Sequence, residues 1–147
     1  MCDLWQNTLD NPVSPGAILE QIDHALAHAV SQLGDLAQLH QIKLYNAGSF
    51  FDPKAIPSEE DTQIAKRLAM FDRIIVECHP SLVGGRCLQF QESIKGKLEV
   101  ALGLETVHPK ALEKLNKRMT LEDFQSASSI LSENNIALRS FVLLQPP

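Results

Sequence analysis

The chain has 147 residues, 44% of them hydrophobic, enough for one domain with a real core but short for a complete eight-stranded barrel. Its net charge of -5 excludes a general attraction to nucleic acid or to an anionic membrane. No apolar run approaches the length that spans a bilayer, and the start Met1-Cys2-Asp3-Leu4-Trp5 lacks the basic and apolar regions of a signal peptide, so a cytoplasmic protein is expected.

Residues 1–15 carry Asn7, Asn11, Pro12, Ser14 and Pro15 without a periodic apolar face and read as an extended loop. Over residues 16–33, Ile18, Ile22, Ala25, Leu26, Ala29, Val30 and Leu33 recur at helical spacing. The opposite face carries Glu20, His24 and His28. The two histidines have a spacing that can bind metal on a helix, but no cysteine or carboxylate motif accompanies them, so a solvated face is the simpler account. Residues 41–46 alternate like a strand and stop at Gly48-Ser49, where glycine permits close backbone approach.

Ser58, with Asp61 three residues later, predicts a capped helix that buries Ile64, Ala65, Leu68 and Phe71. The β-branched run Ile74-Ile75-Val76 predicts a doubly buried strand over residues 73–78, ended by His79-Pro80. Gly84-Gly85 interrupts the next stretch, leaving weak helical character over residues 88–94. A third strand is expected over residues 97–104, then a helix through Leu112 and Leu115. Thr120 with Asp123 marks another capped start, leading to a helix with Leu121, Phe124, Ser128 and Leu131 at core spacing. A fourth strand over residues 136–144 stops at Gln145-Pro146-Pro147, because proline forbids further ladder bonding.

The order is α/β: an incomplete parallel βα array, a partial TIM barrel of about four strands, in a single domain over residues 1–147. In such arrays ligands bind beyond the carboxyl ends of the strands. Three polar turns converge there: Asn46-Ala47-Gly48-Ser49, Glu77-Cys78-His79-Pro80 and Gly103-Leu104-Glu105-Thr106. His79 and His108 stand just past strand ends, as site residues or as turn residues. Glu105 suits ligand contact and a structural ion pair equally, whereas Glu77 leans structural. The cysteines Cys2, Cys78 and Cys87 are odd in number and irregularly spaced, which argues against disulfides and fits a reducing compartment. Cys78 and Cys87 match no zinc pattern and read as core thiols, Cys78 sharing a strand face with Ile74 and Val76.

These motifs resemble the core of the radical S-adenosylmethionine (SAM) enzymes, the partial barrel shared by the elongator-type, methylthiotransferase and coproporphyrinogen-oxidase-like groups. The most specific stretches, residues 43–53 and 98–119, are most similar to radical SAM proteins related to the archaeosine-synthase partner. The resemblance implies a [4Fe-4S] cluster and SAM in the intact parent, with reduction cleaving SAM to methionine and a 5′-deoxyadenosyl radical that abstracts a substrate hydrogen. It makes Cys2 the last cysteine of the Cys-x3-Cys-x2-Cys cluster loop. It places the SAM amino group on Asn46, Ala47, Gly48 and Ser49, where two of the family's usual glycines are replaced. Gly103-Leu104-Glu105-Thr106 is similar to the family's Gly-Val-Gln-Ser turn, which makes Glu105 face the ribose or methionyl part. Asn116-Lys117 stands where the family has Asn-Arg, so Lys117 takes the carboxylate without arginine's bidentate fork.

A cluster needs three thiolates from that loop, and only Cys2 is present. The expectation is therefore an N-terminally truncated piece, lacking the first strand and two cluster cysteines, inactive alone, without bound cofactor and prone to self-association through exposed sheet edges. Two alternatives stay open: an iron-independent βα enzyme that takes a phosphate or small anion at the same strand ends, and a non-catalytic interaction module.

Overall fold

The computed structural model describes residues 13–46 and 48–145; Cys2 and Ala47 lie outside them. In chain order the elements are α1 (Ala17–Leu33), β1 (Gln41–Leu44), a 3-10 turn (Ser58–Glu60) leading into α2 (Asp61–Arg67), β2 (Arg73–Cys78), a second 3-10 turn (Pro80–Leu82), α3 (Gly85–Ser93), β3 (Lys97–Glu105), α4 (Pro109–Leu115), α5 (Leu121–Glu133) and β4 (Ala137–Val142). The four strands form one sheet in the order β1-β2-β3-β4, every pair parallel. This is the incomplete parallel βα fold expected from the motif order. Among the described residues no helix is long and apolar enough to cross a membrane.

Local chemistry explains most boundaries. Gly34, at φ +76, ends α1, and its N–H returns to the Val30 carbonyl at 2.7 Å. Thr120 and Asp123 form a reciprocal capping box, Asp123 accepting from the Thr120 N–H at 2.8 Å and Thr120 Oγ1 from the Asp123 N–H at 3.2 Å. Two expectations need correction. Ser58 caps nothing: its segment forms a 3-10 turn and its hydroxyl lies 3.5 Å from Glu59. Gly84-Gly85 does not interrupt a helix but opens α3, which buries Cys87 and Phe90.

One face of the sheet carries the helices. Ile74, Val76 and Cys78 of β2 and Leu98, Val100 and Leu102 of β3 pack with Ile64, Leu68, Phe90 and Leu131 into a continuous core. The other face is concave. The rings of Tyr45, just past β1, and Phe141 on β4 meet edge to face with centroids 6.5 Å apart. Three strand spacings in a flat sheet would hold them roughly 14 Å apart, so the sheet curls as a barrel wall does.

Candidate functional site

Alternation along the strands puts Lys43 and Tyr45, Arg73, Ile75 and Glu77, Lys97, Glu99, Ala101 and Gly103, and Arg139 and Phe141 on the concave face, opposite the helices. At the amino ends of the strands, Glu99 is 6% exposed and accepts from Arg139 Nε at 2.5 Å and from Arg73 Nη1 at 3.3 Å. One buried carboxylate thus holds two guanidiniums, each oxygen taking one.

At the carboxyl ends the three polar turns are tied to one another. Phe50 N–H donates to the Glu77 carbonyl at 2.8 Å, and His79 N–H donates to Ser49 Oγ at 2.9 Å, fastening the turn after β1 to the end of β2. The His79 ring continues the link. Nε2 lies 3.0 Å from the Lys117 carbonyl, which can only accept, so Nε2 carries the proton. Nδ1 is then the acceptor for Ser81 Oγ at 2.8 Å and the Ser81 N–H at 3.3 Å. His79 is therefore a tie between turns, the structural alternative of its two readings. His108 leads into α4 and makes no side-chain cap.

Glu105 and Lys117 come together as an ion pair at 2.8 Å, with side chains 17% and 31% exposed. The backbone is strained to bring them there. Glu105 sits at φ +62 inside a three-residue turn closed by Thr106 N–H to the Leu104 carbonyl at 2.7 Å, a rare γ-turn sense. Asn116 and Arg118, on either side of Lys117, are also left-handed, at φ +53 and +51. Non-glycine residues in that region are costly and gather at ligand clamps. The pair folds over Gly103, where a Cβ would stand 2.6 Å from Glu105 Oε1 and 2.7 Å from Lys117 Nζ.

Glu77 completes this end. Burial pushes its carboxyl above the ordinary carboxylate range; Lys117 pulls it down and Glu105 pushes it up, both by less. The sequence offered no signal for this, because the charges that surround Glu77 come from two other turns. Asn46 Oδ1 accepts from Gly48 N–H at 3.3 Å, shaping the turn after β1. Gly48 is not demanded by space: a Cβ there would make ordinary contact with Ala55 at 3.6 Å. The structure thus brings Ser49, Glu105 and Lys117 into one linked rim, with Asn46 and Gly48 in the adjoining turn.

Cys78 and Cys87 are 3% and 0% exposed in the helix-side core, and burial pushes both thiols up to about 12. Both lie in the core away from the strand-end rim, and among the described residues no group of three His, Cys, Asp or Glu side chains could hold a metal ion. The described residues do not fit a cluster. At the rim, Lys117 and Glu105 present one cation and one carboxylate side by side.

No protein-family model matches the chain, and no solved structure matches it. Among curated proteins it is similar to an uncharacterized protein of Methanocaldococcus jannaschii, 24% identical over 151 residues that cover 99% of this chain and 41% of that protein. The chain therefore spans less than half the length of the relative it matches.

Proposed function

We propose that this chain is part of a radical SAM enzyme core and that the carboxyl-end rim of its sheet binds SAM. The observation that carries the reading is the charge of that rim. Glu77, Glu105 and Lys117 sum to one negative charge, and SAM, with carboxylate, ammonium and sulfonium, carries one positive charge. Lys117 would take the methionyl carboxylate, while Glu105 and the turn of Asn46 and Ser49 would receive the ammonium. Bound SAM supplies the adenosyl and methionyl groups of the chemistry; the residues here bind and orient it.

The same charge disfavours the small-anion alternative, because two carboxylates would face the ligand. Titration calorimetry separates the two readings. SAM should bind the wild-type chain, and Lys117→Ala should weaken it about ten- to a hundredfold, the value of a hydrogen bond to a charged group. Heat with inorganic phosphate and none with SAM would replace this reading by the small-anion one.

Self-association is a second, compatible reading, favoured by Leu138, Val142 and Leu144 on and after edge strand β4, which are 39%, 59% and 98% exposed. Sedimentation velocity across a concentration series should show a dimer that Leu138→Lys disperses; a monomer at every concentration would dismiss it.

A further inference from the structure

Among the described residues, the rim charges Glu77, Glu105 and Lys117 include one ion pair. Glu105 and Lys117 face each other at 2.8 Å and largely neutralise one another. Glu77 is left over: it is partly buried on the inward face of a central strand, and among the described residues its carboxylate has neither a hydrogen-bond nor an ion-pair partner. Its neighbour in register on β3 is Ala101, whose methyl offers no polar contact. Nothing in the fold requires a carboxylate at this position, and burying one without a partner is unfavourable. Its backbone, by contrast, is fixed by pairing with β3 and by the Phe50 N–H, so the carboxylate is carried at the rim without a protein partner among the described residues.

The same accounting applies to the ligand. The methionyl carboxylate and ammonium of SAM form a neutral zwitterion that Lys117 and Glu105 match group for group. What remains of the ligand is the sulfonium, and what remains of the rim is Glu77. Resting on the SAM reading above, we infer that Glu77 is the counter-ion of the SAM sulfonium and sets a preference for SAM over S-adenosylhomocysteine, which lacks that charge. Glu77 contributes no hydrogen bond to this contact, since a sulfonium has no proton to donate; its contribution is charge alone.

The test compares the two ligands on wild type, Glu77→Gln and Glu77→Asp by titration calorimetry, with thermal unfolding to confirm folding. Wild type should prefer SAM by about tenfold, the equivalent of one pKa unit of charge interaction. Glu77→Gln should bind the two ligands about equally, with its S-adenosylhomocysteine affinity unchanged, and Glu77→Asp should recover part of the preference. A merely structural Glu77 would lower both affinities together, and that result overturns the inference. Wild type binding both ligands equally would also overturn it while leaving the SAM reading intact. Binding of neither ligand would remove both.

Discussion

The two ends of the concave face are built from the same kinds of residue and do opposite things with them. At the amino ends, Glu99 is buried and saturated by Arg73 and Arg139, and Gly96, just before β3 and turned to the helix side, lies tight against the Phe71 carbonyl, with Ile74 Cδ1 at 2.8 Å and the Asp72 carbonyl at 2.9 Å from where its Cβ would be. At the carboxyl ends, Glu105 and Lys117 are paired through strained backbone, Glu77 has no partner among the described residues, and Gly103 is crowded only by flexible side-chain ends. The first end spends its charges on the fold. The second leaves Glu77 without a side-chain partner among the described residues, and its left-handed residues break local rules in the way ligand-holding sites commonly do.

The sharpest way to break that contrast is one substitution made at both ends. Gly96→Ala drives a Cβ into backbone that cannot move and should destabilise by about 3 kcal/mol in chemical denaturation. Gly103→Ala meets only the ends of Glu105 and Lys117, so it should change stability by under about 1 kcal/mol while lowering SAM affinity by displacing the pair. Equal destabilisation by the two would dissolve the distinction. Next in size, Glu99→Gln leaves two guanidiniums short of a carboxylate and should lose about 2 kcal/mol, less than a fully buried pair because Arg73 and Arg139 remain partly exposed. SAM affinity should not follow it.

The smallest effect is the most diagnostic. The folded-state pKa of Glu77 lies above its unfolded value, so its contribution favours folding below the unfolded pKa and is lost as pH rises through the folded one. Glu77→Gln should therefore be slightly more stable than wild type at neutral pH, by under about 1 kcal/mol given solvent screening, and the advantage should vanish as pH falls through the carboxylate range. Thermal melts from pH 4 to pH 8 check the sign; a variant less stable at neutral pH would make Glu77 a structural residue.

The fold was legible where pattern and packing agree. The run Ile74-Ile75-Val76 marks β2 because a strand covered on both faces needs no polar alternation, and Thr120 with Asp123 marks the start of α5 because the same box forms in space. Ser58 with Asp61 spells a similar box that does not form, since a 3-10 turn precedes α2. α3 was only partly legible because three buried residues, Cys87, Phe90 and Ile94, anchor it amid glycine, glutamine and serine. In the rim, Glu105 and Lys117 are singled out in the sequence through the resemblance of their turns, and the structure adds that they pair with one another. Glu77 was not legible, because an unpaired charge is a property of what surrounds it in space, and β3 with the turn before α5 supplies those surroundings.

The most direct test of the rim as a SAM site is a residue-by-residue map of amide chemical-shift changes as SAM is added to the isotope-labelled chain. The account predicts shifts clustered at Gly48 and Ser49, Glu77 to His79, Gly103 to Thr106 and Asn116 to Arg118, with Arg73, Lys97 and Glu99 at the opposite end unmoved. Shifts gathered at the amino ends, or none in the rim at saturating SAM, would contradict it.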